Sequence, residues 1–435
     1  MKSLTVLLAL AIPLPAAWTA GVGRYEITPN EPVWMAGYGS RVRPMEGVRQ
    51  SLWAKALAIR DGAGHTAVIV TLDLCDIDGR TADEIAADVQ RRAGVPRESI
   101  AFNTSHTHSG PIFGDPANYL HLMGPDPRAH VEAIRRYTEF ARTGIAQAIL
   151  NALGDMQPAE VQFGSGFAGF AVNRRRAWKR ELPGPVDHDV PVLAVRGRDG
   201  QLLAAAVGYS CHNTVMGDYL IHADYAGYFQ EAFEKRHPGA TALFVQGTGG
   251  DANPLPRRTE TLARAYGETL ADAADEVLSG RMKKLDGELR VEMKVIPLKF
   301  QMPSRAMLEA RAESSGASPK RHARRLLEQW DRDGKLPESH PYPVQVWRFG
   351  TGLTMVMLGG EVVADYSLRI KPLLGWDSTW VAGYSNDVFA YIPSLRVLRE
   401  RGYEGETAME WDGHPGPFTE DVEEAIVGTV ARMTR

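Results

Sequence analysis

Four apolar runs, each followed by a helix-patterned stretch, constrain this chain more than any other feature. The runs lie at 67–74, 100–103, 202–210 and 242–246, and the stretches that follow lie at 81–93, 129–153, 225–235 and 262–278. Within 81–93, Ala86 and Val89 recur among charges at helical spacing. Strands that lack polar alternation need cover on both faces, and helices between successive strands provide it. The reading is α/β: a mixed, largely buried β-sheet flanked by helices. After residue 287 the texture changes to strands at 289–298, 344–349, 353–358 and 380–384. A charged, helix-prone stretch at 304–334 interrupts them and reads as a solvated face. With no repeat and no Pro/Ser-rich linker, one domain over 21–435 is expected.

At 435 residues, 44% hydrophobic and 23% charged, the chain has the composition of a globular protein with a large core. Lys plus Arg number 49 against 53 Asp plus Glu, a net charge of -4. Nothing in that balance invites a polyanion, so nucleic acid is excluded as a partner. Lys2, the apolar stretch 4–14 and the small-residue exit Pro13, Pro15, Ala16, Ala17 and Ala20 read as a secretory signal over 1–20, with the mature chain beginning near Gly21. No later stretch reaches the roughly 20 apolar residues that a spanning helix needs. An exported, soluble protein, secreted or periplasmic, is expected. Cys75 and Cys211 each follow an apolar run; a bridge and two buried free thiols both fit an oxidising compartment.

The run Asn103-Thr104-Ser105-His106-Thr107-His108-Ser109-Gly110-Pro111 places two imidazoles two residues apart, directly after the strand-like Ile100, Ala101 and Phe102. In an extended segment residues i and i+2 share a face, so two nitrogen donors reach one ion. The Ser-Gly-Pro that follows opens a turn, which sets the imidazoles at a strand end, where open α/β sheets place their ligands. Two neutral imidazoles and a carboxylate suit zinc; a polar surface pair is the plainer alternative. Other strand ends carry further ligand-type groups: His212 with His222 and Asp224 nearby, Glu361 after Gly359-Gly360, and Asn386 and Tyr391 after 380–384. Each also has a structural reading. His212 fits a hydrogen-bonded core imidazole, Glu361 the cap of a helix beginning at Val362, and Tyr391 a packing residue. Asp224, Asp251 and His222 read as structural groups or as acceptors behind metal-bound imidazoles. Asn173-Arg174-Arg175-Arg176 either sets a cation near an anionic substrate group or forms a solvated basic turn, the reading preferred here.

These residues resemble the neutral ceramidase family in its amino-terminal catalytic region. The resemblance starts at Gly21-Val22-Gly23-Arg24-Tyr25-Glu26-Ile27-Thr28-Pro29, includes Met35-Ala36-Gly37-Tyr38-Gly39, and is sharpest at 104–111. It recurs at 209–216, 247–254, 358–361 and 386–391, and so spans nearly the whole mature chain. What it implies is a zinc-dependent amidase that cleaves a small-molecule or lipid N-acyl amide with zinc-activated water. Carried over by position, the Zn2+ ligands are His106, His212, Glu361 and Tyr391, while His108 orients substrate or transfers a proton.

One departure bears on the substrate. Where the family's Gly-Asp-x-Ser-Pro-Asn motif carries a catalytic serine, this chain reads Gly250-Asp251-Ala252-Asn253-Pro254-Leu255. Asn253 donates a hydrogen bond to an oxyanion but is neither a nucleophile nor a proton shuttle. A water mechanism survives, and ceramide as substrate is put in doubt. The expectation is a divergent relative without the family's carboxy-terminal immunoglobulin-like domain. Two alternatives stay open: a zinc hydrolase of a different small amide or ester, and a secreted binding protein that keeps the scaffold without catalysis.

Overall fold

A computed structural model describes residues 18–176 and 184–435 of the chain. The larger of its two main sheets runs in the order Thr241–Gln246, Leu202–Tyr209, Asp189–Gly197, Gln157–Phe167, Thr19–Glu26, Trp53–Arg60, Thr66–Leu72, Ile100–Thr104. Only the outermost pair at each edge is parallel; all inner pairs are antiparallel. The sheet is mixed, as its sequence predicted.

Alternation along these strands sorts their apolar side chains between two cores. Ala54, Ala56, Ala58, Val68 and Val70 meet the helices Gly79–Ala93 and Arg128–Gly154. Val192, Ala194, Ala205 and Val207 meet Asp224–Arg236 and Glu260–Ser279. The opposite set, including Leu57, Ile59, Ile69, Leu193 and Val195, packs on Trp347, Phe349, Met355 and Trp380. Those four residues belong to a second sheet, Leu289–Lys299, Ser339–Phe349, Leu353–Leu358 and Thr379–Ala382. Its outer face, with Val344, Val346, Val356 and Val381, is covered by Asp365–Leu374 and Val422–Met433. The layers therefore run helix, sheet, sheet, helix. An unbroken apolar strand demands cover on both faces but does not say whether a helix or a sheet supplies it, which is why the second sheet was not legible as a layer.

The charged stretch at 304–334 forms Arg305–Ala312 and Ala317–Asp333, which bury a small core of their own around Leu308, Ala323 and Leu326. Most other positions of that pair are exposed or half-exposed, as expected, but His322 is buried, with its Nε2 2.7 Å from His414 O.

Two features of this architecture position the site. First, the edge strands Ile100–Thr104 and Thr241–Gln246 meet at their carboxyl ends: Gln246 N donates to Asn103 Oδ1 at 2.7 Å, and Asn103 Nδ2 donates to Gln246 O at 3.2 Å. Neighbouring strands rotate by roughly 20–25° each, and over the width of this sheet that rotation brings opposed edges round to point together. Second, Asn103 Nδ2 also donates to Gly383 O at 2.8 Å, tying in the loop that follows the last strand of the second sheet.

The export signal expected over 1–20 lies outside the described residues as far as residue 17. The processing point expected near Gly21 falls inside the strand Thr19–Glu26, and Trp18, 4% exposed, donates from Nε1 to Leu285 O at 2.8 Å. Cys75 and Cys211 are buried and unbridged. Among the described residues no helix is long and apolar enough to cross a membrane.

Candidate metal centre

Four strand ends deliver the side chains singled out above. Ile100–Thr104 stops two residues before His106. The two imidazoles were expected on one face of an extended segment; instead they lie beyond the strand, in a turn where His106 adopts φ 58°. A left-handed non-glycine residue costs roughly 1–2 kcal/mol, and His106 N→Leu74 O at 3.0 Å helps to hold it. The rings still meet, with Nε2 of His108 3.0 Å from Nε2 of His106, through turn geometry rather than strand alternation. His212 follows Leu202–Tyr209 and is pinned by His212 N→Ala252 O at 3.0 Å. Glu361 follows Gly360, whose φ of 72° makes the sharp turn, and pairs in parallel with Tyr391.

The glycines of Gly247-Thr248-Gly249-Gly250 exist for this packing. A Cβ on Gly250 would lie 2.4 Å from the Glu361 carbonyl oxygen, and one on Gly249 2.6 Å from the Cys211 nitrogen. Only bare backbone fits under the Glu361 turn and beside His212.

At the centre, Glu361 Oε2 lies 3.2 Å from His106 Nε2 and 3.1 Å from His212 Nε2. The far nitrogens fix both tautomers: His106 Nδ1 faces Cys75 O at 2.9 Å and His212 Nδ1 faces Gly249 O at 2.8 Å. A carbonyl only accepts, so each Nδ1 carries the proton and each Nε2 turns a lone pair inward. With the imidazoles neutral, two lone pairs and a carboxylate converge, and the three ligand atoms lie within 4.8 Å of one another. The Tyr391 hydroxyl joins them 3.2 Å from His212 Nε2. This donor set, two nitrogens and two oxygens, fits zinc.

Electrostatics agree with that fit at Glu361 and His212, whereas His106 stands well above an ordinary imidazole, burial lowering it but Glu361 and Cys75 raising it more, so that a metal binds there with release of a proton. Burial would raise Glu361, but His106 and His212 hold its carboxyl well below the usual range. Burial, then the charge of Arg174, takes His212 down to about 4, so it is neutral near pH 7, the form a metal binds. Burial, then His106 and His212, holds His108 well below an ordinary imidazole.

The structure bears on two of the structural readings weighed for single residues. The helix after Glu361 begins at Asp365, too late for Glu361 to cap it, and Tyr391 does more than pack. Asn253 lies in Ala252–Pro254 and lines the cavity beside His108; Thr214 Oγ1 donates to its Oδ1 at 3.4 Å, which leaves Nδ2 free to donate. His222, Asp224 and Asp251 are structural. Asp224 accepts from Val215 N and Met216 N, His222 Nδ1 accepts from Asp224 N, and Asp251 accepts from Ala364 N and Asn173 Nδ2. Asn386 is structural too: its Oδ1 accepts from Phe102 N.

Arg174 corrects the sequence reading. It is not part of a solvated turn: its side chain is 21% exposed, it donates to Glu404 at 2.7 Å, and its Nη1 stands 3.4 Å from His212 Nε2. A run of three arginines looks like a wet surface until the chain places Glu404 under it. Gly37 and Tyr384 were missed as well. Gly37, at φ 89°, lets the backbone lie against the His108 ring, and Tyr384 OH stands 3.4 Å from Glu361 Oε2. The Met35-to-Gly39 motif was the one available signal for the first.

Comparison with known proteins identifies the family. The family profile described as "Neutral/alkaline non-lysosomal ceramidase, N-terminal" matches residues 18–280. The chain belongs to the neutral ceramidase family. Neutral ceramidase from Pseudomonas aeruginosa shares its fold with a TM-score of 0.75 at 21% identity, over 96% of this chain and 74% of that one. A second solved structure, a ceramidase complexed with C2, gives a TM-score of 0.76 at 20% identity, over 96% and 75%. No curated protein sequence matches. As a member of the neutral ceramidase family the chain is a ceramidase-like hydrolase.

Proposed function

We propose that the protein is an exported zinc-dependent amidohydrolase that cleaves an N-acyl amide. His106, His212, Glu361 and Tyr391 hold the metal. When bound, zinc supplies Lewis acidity and a water nucleophile at neutral pH. The amide C–N bond breaks, the acyl carbon gains a hydroxyl and the departing amine gains a proton. His108, kept neutral by burial, has an unpartnered, buried Nδ1 and hands on that proton. Asn253 Nδ2 and Arg174 donate hydrogen bonds where negative charge develops on the carbonyl oxygen. With Asn253 where the family carries its serine, the substrate is a smaller or more polar amide than ceramide.

The observation that carries this reading is the convergence of two lone pairs and a carboxylate whose tautomers are fixed by Cys75 O and Gly249 O. Elemental analysis tests it: one zinc per chain is expected, lost together with amide hydrolysis in His106→Ala and His212→Ala. Absence of a stoichiometric transition metal sinks the site assignment. Zinc without turnover on any amide points to a binding protein on the same scaffold.

A further inference from the structure

The cavity at the metal centre has two arms that share His108 and Tyr403. They differ in charge. One is lined by Asp76, Asp78, Asp115, Asp412 and Glu361 and, among the described residues, by no lysine or arginine. The other, about 830 Å³, is lined by Arg174, Arg175, Arg257 and Arg401 against Glu400 and Glu404.

Pairing in the second arm leaves a surplus of donors. Glu404 accepts from Arg174 at 2.7 Å and from Arg175 at 2.5 Å, and Arg401 turns away to Glu406 at 2.6 Å. Arg257 is half-buried and, among the described residues, has no hydrogen bond or ion pair. Arg174 Nη2 and Arg175 Nε are buried with no partner. Arg257 is thus, among the described residues, the group at this cavity whose donors are unspent, with the unpartnered Arg174 Nη2 and Arg175 Nε buried in the neighbouring guanidinium groups. A half-buried cation without a counter-ion is unfavourable, and what Arg257 lacks is an acceptor rather than a donor. Burial, then the neighbouring charge of Arg258, pulls the Arg257 pKa down, the mark of an uncompensated charge. Ceramide carries no anion to meet it.

We propose that the substrate amide bears an anionic group, as an N-acyl amino acid does, and that Arg257 is the specificity-determining residue that receives it. This rests on the hydrolase reading above. A carboxylate takes two N–H donors of one guanidinium side by side, and a phosphate offers the same recognition, so the test carries both.

Matched substrates decide it. The zinc-loaded full-length protein is assayed on N-lauroylglycine and N-lauroyl-γ-aminobutyrate against N-lauroylglycinamide, and on N-lauroyl-O-phosphoethanolamine against N-lauroylethanolamine. At least one anionic amide is expected to exceed its neutral partner in kcat/KM by roughly ten- to a hundredfold, mostly through KM, the range for a charge-assisted pair. In Arg257→Gln that ratio should fall to about one, and Arg257→Lys should retain part of it, with zinc content checked in both. Equal kcat/KM within every pair, or a preference that survives in Arg257→Gln, overturns the anion subsite while leaving the hydrolase reading standing. Turnover on none of these amides refutes the hydrolase reading instead. Titration calorimetry then judges the subsite separately, by whether N-lauroylglycine binds more tightly than N-lauroylglycinamide.

Discussion

Replacing Gly37 by alanine tests whether backbone packing sets the position of His108. Gly37 has φ 89°, and a Cβ there would lie 2.5 Å from His108 Cγ and 2.8 Å from His108 Cα. Gly64 provides the control: its φ is 95°, yet a Cβ there meets nothing within 4 Å. Both substitutions incur the left-handed backbone strain, about 1–2 kcal/mol. Gly37→Ala must in addition push the imidazole aside, and forcing a well-packed side chain off its place costs about 1–3 kcal/mol. The expected stability losses are about 1–2 kcal/mol for Gly64→Ala and about 2–5 kcal/mol for Gly37→Ala. Activity separates them further, because displacing a positioned catalytic group by an ångström costs on the order of a hundredfold. Gly37→Ala should lose that much kcat/KM on an N-acyl amide and Gly64→Ala almost none. Urea denaturation and steady-state kinetics on the two proteins give both numbers. Equal behaviour would show that the Gly37 contact does not hold His108, and the role given to the Met35-to-Gly39 motif would fall with it.

Asn253→Ala should reduce turnover by roughly a hundredfold or more, the loss expected for one oxyanion donor, with zinc retained; full activity would remove Asn253 from the mechanism. Asn253→Ser is expected to improve ceramide cleavage, and ceramide kinetics equal to those of the native chain would sink the proposed shift in specificity. Amino-terminal sequencing of exported protein should begin at or before Trp18, since a cut near Gly21 would strip Trp18 from its bond to Leu285 O and break the pairing of Thr19 and Ala20 with Arg60 and Ile59; a start at Gly21 would refute this. Burial pushes Asp73 up to about 6 against the pull of Lys55. Its folded pKa lies above the unfolded value, so the stability it contributes is present below about pH 4 and is lost as pH rises to 6, about 3 kcal/mol in all. The stability of Asp73→Asn relative to the native protein should therefore climb across that window, and a difference that stays flat would contradict the burial argument.

How much of this protein was legible from its sequence follows the range of the forces involved. Strand 353–358 and the helices near 81–93, 129–153 and 262–278 could be read because their periodicity is local. His106, His212, Glu361 and Tyr391 could be found because the residues that end a strand are fixed by the chain itself, and strand ends converge in folds of this kind. Arg174 could not. Its burial depends on Glu404, which lies 230 positions away in the chain, and no local pattern reports that.

The sequence by itself determined the apolar runs, the glycines that allow close backbone approach and the chemical types gathered at the strand ends. Tertiary structure decided the rest: a second sheet rather than helices behind the first, the meeting of two edge strands through Asn103, and the left-handed turn at His106. It also set the charge difference between the two cavity arms. The reason is physical. Period and turn chemistry act between near neighbours, whereas burial, twist and the field at a site are sums over residues brought together only when the layers close.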